Sequence, residues 1–262
     1  MIKVKIVLDR FTYYLAKIVK KSEKKFSTTF FYLFPLRIYL RLLEKIYFKK
    51  VDQTFCKISN YFVPEKFKNY DKILVISGGL GFDVEFEKKM IESKNISKIL
   101  AFDPLELKDE ITNSLDNQKV KVFKRPLYIS SSKVKIFKPY EKNKNPNVSI
   151  DGVYTDSSNY EYARSIDILS VIKYSKFSKY DYKILKLDIE GVADLVIGRL
   201  LNNQVFADVI CFELERPTSI FRQFNYFARF FKLVKIMKKN YKIYHFTNQK
   251  LGHRLELVAV KN

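Results

Sequence analysis

Leu74-Val75-Ile76-Ser77-Gly78-Gly79-Leu80-Gly81-Phe82-Asp83 carries an apolar run straight into a glycine turn and out into an amphipathic segment. The run reads as a buried strand. Val84, Phe86, Met90 and Ile91 follow as the apolar side of a helix, with Lys88, Lys89 and Glu92 toward solvent. Glycines at such a turn let a ligand approach the backbone, and one or more of them needs φ > 0. Further on, Ile99-Leu100-Ala101-Phe102 ends in Asp103-Pro104, at about the 20-residue distance where an acidic residue takes ribose hydroxyls in dinucleotide and adenosyl sites. The combination predicts a nucleotide-like cofactor. A tight strand-to-helix turn followed by a surface aspartate is the plainer alternative.

Outward from this corner the pattern alternates: strands at 72–76, 98–102 and 119–123, helices at 83–93 and 105–115. A helix near 166–176, a strand at 182–187, a helix at 192–201 and a strand at 208–212 continue it. A long basic and aromatic helix at 219–240 and a closing strand pair at 242–246 and 254–260 complete the chain. Such alternation predicts a mostly parallel sheet with helices on both faces. Residues 127–160 break the rhythm. Within them 128–130 and 134–137 are expected to form a short hairpin, and an excursion of this size can carry substrate-recognition residues.

The chain has 262 residues and a formal net charge of +21, with 47% hydrophobic content, which indicates a globular protein of one large domain or one domain with an appendage. A charge of that size suits a polyanion or an anionic membrane, yet only ten of the 49 basic residues are arginine, and lysine-rich coding bias is an alternative source. Residues 1–68 hold sixteen Lys or Arg against five Asp or Glu and read as a basic amphipathic helical region, with 69–262 as the main domain. Phe11, Leu15, Ile18 and Val19 recur at helical spacing, as do Leu36, Leu40, Leu43 and Tyr47 after Pro35. Two readings stand for these helices: residues 1–50 lie on an anionic membrane surface, or they pack on the main domain with a solvated basic face. Cys56 and Cys211 read as buried thiols in a reducing compartment. No signal peptide and no membrane-spanning helix is expected.

Leu185-Lys186-Leu187-Asp188-Ile189-Glu190-Gly191 places two carboxylates where a buried strand meets the next helix, on the side of the sheet where ligands bind. Alternation along an extended chain sends Asp188 and Glu190 the same way. Paired carboxylates there can deprotonate a hydroxyl, hold a divalent cation or bond sugar hydroxyls, or one of them can cap the helix.

The glycine segment, Ala101-Phe102-Asp103-Pro104 and Ile184 to Gly191 together resemble the FkbM-type methyltransferases, in order and spacing, over residues 70–260. The resemblance implies the class I Rossmann-like fold, a mostly parallel seven-stranded sheet, with S-adenosylmethionine as cofactor. It implies a cytoplasmic O-methyltransferase whose acceptor is a hydroxyl of a glycan or glycan precursor. Gly79 and Gly81 would pass under the methionine part and Asp103, beside Pro104, would bind the ribose. Class I methyltransferases commonly begin this motif with an acidic residue and end it with glycine, where Ser77 and Asp83 stand. Either Asp83 supplies the displaced carboxylate or the cofactor sits differently. Ala193 stands where many relatives carry a glutamate, so any role of that glutamate is absent here or has passed to Asp194.

Asp188 or Glu190 is the expected base, or the holder of a divalent metal, with Asp156 of the Tyr154 to Asn159 loop as another candidate. His245 and His253 read as structural. Three rivals remain: a nucleic-acid methyltransferase, disfavoured by the acidic strand end; a non-catalytic membrane-surface protein with a Rossmann-like core; and a nicotinamide dehydrogenase.

Overall fold

The computed structural model describes residues 48–81, 83–106, 113–115, 118–139, 150, 155–215, 220–246 and 254–262. Strand β1 (Lys49–Lys50) leads to a hairpin of β2 (Phe55–Ile58) and β3 (Tyr61–Pro64), then a 3-10 turn at Glu65–Asn69. Next come β4 (Ile73–Gly78), α1 (Glu85–Glu92), β5 (Ile96–Phe102) and β6 (Val120–Phe123). The excursion holds β7 (Leu127–Tyr128), β8 (Lys133–Pro139), β9 (Thr155–Arg164) and β10 (Ile166–Asp167). Then follow α2 (Ile168–Ser175), β11 (Tyr182–Leu187), α3 (Ala193–Asn202), β12 (Val209–Glu215), α4 (Ile220–Met237), β13 (Tyr241–His245) and β14 (Arg254–Lys261).

Eight strands form the main sheet in the order β1-β13-β14-β12-β11-β4-β5-β6. All neighbours are parallel except those of β14, which runs antiparallel to β12 and β13. The class I Rossmann-like arrangement expected from the sequence is therefore present, with β1 as an eighth strand. From β4 the chain winds outward through β5 and β6, then crosses back to β11 and β12, so the winding reverses between β4 and β11. In open sheets that reversal opens a crevice at the carboxyl ends of the strands.

Alternation along the strands divides the core. Leu74, Ile76, Leu100, Leu185, Ile210 and Phe212 face α2, α3 and α4. Ile73, Val75, Ile99, Ile184, Val209 and Cys211 face Phe86 and Met90 of α1. The α2 start is capped by Asp167, whose carboxylate accepts the Leu169 amide at 3.3 Å. Arg229 of α4 grips Asp194 of α3 with two nitrogens and donates to the Gly191 carbonyl at 3.0 Å, which locks the two helices together.

Two expectations are corrected. Residues 48–68 were read with the basic helical region, yet they form strand and hairpin: β1 extends the main sheet, and Ile58, Tyr61, Val63 and Phe67 pack on the core face shared with α1. The expected helices of residues 1–47 lie outside the described residues. The expected 128–130 to 134–137 hairpin is absent. Leu127–Tyr128 pairs in parallel with Ile166–Asp167, and β8 pairs antiparallel with β9. Buried Ser165 holds that exchange, its hydroxyl 2.7 Å from the Ser130 carbonyl and accepting the Ser132 amide at 3.1 Å.

The buried titratable groups set an alkaline limit. Burial pushes the Cys211 thiol up to about 12 from 9.0. It also drives the Tyr182 and Tyr241 hydroxyls well above 10.0. In each case the unfolded chain loses its proton at a lower pH than the folded chain, so the stabilisation is full below the unfolded value and is lost as pH rises through the folded one. The urea midpoint is expected to fall from about pH 9 upward, and a midpoint constant to about pH 11 would contradict this assignment.

Candidate functional site

The crevice at the switch point is a cleft of about 260 Å³ walled by the glycine turn, the ends of β5, β11 and β12, the β2–β3 loop and Ile136 of β8. Its geometry begins at Gly79. The residue sits at φ +79°, and a Cβ placed there would lie 1.8 Å from the Asp188 carbonyl oxygen. The turn thus crosses directly over the end of β11, where the Asp188 amide donates to the Gly78 carbonyl at 2.9 Å. Only glycine fits. Gly81 also has positive φ, at +55°, with open space where its Cβ would be.

The amides of this turn are already committed. Gly79 donates to the Phe102 carbonyl at 2.9 Å. Leu80 and Gly81 both donate to one oxygen of Asp103 at 2.9 Å, and the other oxygen accepts Leu105 at 2.8 Å. Asp103 is therefore buried and held by three amides, which leaves little of its accepting capacity for a further donor. At the head of α1, Asp83 accepts the Glu85 amide at 3.0 Å and contacts Asn60 of the hairpin.

Behind the turn lies a group that the sequence reading did not single out. Lys186, 3% exposed, donates to the Gly79 carbonyl at 2.5 Å and lies 3.6 Å from Glu87, which is fully buried, and 4.0 Å from Asp188. Glu87 in turn accepts the Ser77 hydroxyl at 2.5 Å, and its second oxygen is buried with no hydrogen-bond partner among the described residues. Burial pulls the Lys186 pKa down, but Glu87 and then Asp188, Asp103 and Asp83 outweigh it and hold the group above 10.5. A lysine inside the apolar run Ile184 to Leu187 was the available signal, since a charge in a buried strand needs a partner. Tyr61, from the hairpin, packs under the Lys186 ammonium at 5.7 Å. Its hydroxyl is pushed well above 10.0 by burial and then by the charges of Asp188 and Glu213.

Of the residues expected from sequence, Gly79, Gly81, Asp83, Asp103, Pro104, Asp188 and Glu190 all line the cleft. Ser77 does not; it is buried on Glu87. Asp156 falls within β9 and not in a loop. Asp194 is committed to Arg229. His245 lies in β13, outside the cleft lining, and His253 lies outside the described residues. Glu213 and Glu256, opposite one another on β12 and β14, add two carboxylates that no local motif marked. Among the described residues six carboxyl groups thus line the cleft against one ammonium, Lys186, in a chain of net charge +21. Among the described residues no group of three His, Cys, Asp or Glu side chains is arranged to hold a metal ion, and no helix is long and apolar enough to cross a membrane.

No protein-family model matches the chain, and neither does any curated protein. Solved structures do. Methyltransferase FkbM from Methylobacillus flagellatus KT is 10% identical with a TM-score of 0.41, the match covering 72% of this chain and 44% of that one, so the chain spans under half of that protein. SMU.1697c from Streptococcus mutans, solved in complex with SAH, is 10% identical with a TM-score of 0.38 over 74% of this chain and 93% of that one. N-methyltransferase NodS from Bradyrhizobium japonicum WM9 is 9% identical with a TM-score of 0.33 over 73% and 86%.

Replacing Lys186 with Met leaves Glu87 buried and uncompensated, which is expected to cost about 3–5 kcal/mol in urea unfolding. Adding Glu87→Gln to Lys186→Met is expected to recover part of that loss. A Lys186→Met protein as stable as the parent would show that the pair is not coupled.

Proposed function

We propose that this chain is an S-adenosylmethionine-dependent O-methyltransferase acting on a hydroxyl of a glycan or glycan precursor. The observation that carries the cofactor assignment is the spent state of the turn. A dinucleotide pyrophosphate is held by free amides at a glycine turn and helix N-terminus. Here the amides of Gly79, Leu80, Gly81 and Glu85 are already bonded, three of them to carboxylates. Six carboxyl groups around the cleft repel phosphate further and favour a cation. A sulfonium compound with an adenosyl group satisfies both conditions, with Pro104 and the one acceptor site left on Asp103, about a quarter of its capacity, at the ribose end and the acidic wall toward the charge. The same wall disfavours a phosphodiester chain in the cleft, which weakens the nucleic-acid reading.

S-adenosylmethionine supplies a methyl group already activated on sulfur, so the protein's tasks are alignment and removal of the acceptor proton. In the transfer an oxygen–carbon bond forms, the sulfur–carbon bond breaks, and the acceptor proton passes to a carboxylate. Asp188 suits that role. Its side chain is 35% exposed at the cleft and lies 4.0 Å from Lys186. Glu190 stands two residues on, at the same cleft. The hydroxyl acceptor is supported by this carboxylate pair and by the resemblance of the three motif segments to FkbM-type O-methyltransferases.

Asp188→Asn is expected to lower methyl transfer about 10²–10⁴-fold while calorimetry still detects S-adenosylhomocysteine. Tight NADH binding without S-adenosylhomocysteine binding would overturn the cofactor assignment.

Residues 1–47, with eleven Lys or Arg against three Asp or Glu, suit an anionic membrane carrying lipid-linked acceptors. A chain lacking them is expected to sediment less with phosphatidylglycerol vesicles while retaining cofactor binding, and unchanged sedimentation would remove the membrane role.

A further inference from the structure

The ribbon of β8 and β9 has two unlike faces. Register pairs Lys133 with Arg164, Lys135 with Tyr162 and Phe137 with Tyr160. Alternation turns Val134 and Ile136 inward, and Ile136 is fully buried at the cleft wall. The opposite face therefore gathers Lys133, Lys135 and Arg164 with Phe137, Tyr160 and Tyr162. The Lys133 ammonium lies 4.4 Å from the Tyr162 ring centroid and that of Lys135 lies 4.3 Å from Tyr160. Tyr160 and Tyr162 remain 39% and 52% exposed. Between Lys133–Phe137 and Tyr160–Arg164 the one carboxylate is Glu161, which pairs with Ile136 on the other face, in contrast to the acidic cleft behind it.

We propose that this face docks an acidic oligosaccharide acceptor and feeds its hydroxyl over the ribbon into the cleft. The inference rests on the O-methyltransferase reading for its acceptor role. Exposed tyrosine rings present flat apolar surface to the C–H face of a pyranose and hydroxyl edges to its rim. Three cations gathered on one face by the register of the ribbon complement carboxylates along the chain. A nucleic acid is the poorer fit. Tyr160 and Tyr162 meet at 85° and do not form the succession of parallel faces on which bases stack. Continuity with the cleft through Ile136 makes the ribbon a wall shared by both surfaces.

The test is titration of the full chain with hexagalacturonate, maltohexaose and a six-nucleotide oligothymidylate, with S-adenosylhomocysteine binding measured in parallel. Hexagalacturonate is expected to bind best and to weaken as salt rises. Tyr162→Ala is expected to weaken it about fivefold, and Lys133→Gln with Lys135→Gln to weaken it further, with S-adenosylhomocysteine binding unchanged in both proteins. Failure of hexagalacturonate to bind, equal affinity in the variants, equal or tighter binding of maltohexaose, or tighter binding of oligothymidylate would each overturn the proposal. Tyr162-dependent hexagalacturonate binding in a chain that does not take S-adenosylhomocysteine would support the saccharide surface and overturn the methyltransferase reading.

Discussion

The crossing of the glycine turn over the end of β11 is the contact on which the site depends. At Gly79 a Cβ would lie 1.8 Å from the Asp188 carbonyl oxygen, and the adjacent Asp188 amide bonds Gly78 at 2.9 Å. Two strands distant in sequence are thereby fastened where the sheet reverses its winding. That closeness lets residues from β4, β5 and β11 share one cleft. It also brings Lys186 within reach of the Gly79 carbonyl, so the turn is held from below as well as from the side.

Holding the turn in this way has a cost. Lys186 and Glu87 are nearly or fully inaccessible to water, and desolvating an ion pair is offset only by good geometry and further hydrogen bonds. Ser77 and the Gly79 carbonyl supply two of those bonds. The arrangement explains why a serine stands at the head of the glycine motif: its hydroxyl serves the buried glutamate behind the turn. Asp83 has the complementary position, at the cleft and at the start of α1, where its carboxylate occupies an amide that an anionic ligand would need.

Charge is distributed against the chain's overall sign. A net +21 suggests a polyanion partner, yet among the described residues the cleft is lined by six carboxyl groups and one committed ammonium. Overall charge therefore describes the exterior and the long-range field, while the site follows local carboxylates in a partly enclosed space. The β8–β9 ribbon is where the two meet, basic and aromatic outside, apolar toward the cleft.

The sequence by itself determined the strand, glycine turn and helix around Gly79, the acid at Asp103, and the paired carboxylates after β11. Those features are local: period-2 and period-3.6 apolar patterns, glycines at positive φ, and charges at strand ends are visible within a dozen residues. Only the tertiary structure decided that residues 55–64 form a hairpin whose loop lines the cleft, that β7 pairs with β10, and that Lys186 answers Glu87. It alone decided that Glu213 and Glu256 converge on the cleft that Asp188 lines. Each of these joins segments far apart in the chain, and which segments meet is settled by how the whole sheet closes and what it must bury, a choice no short stretch encodes.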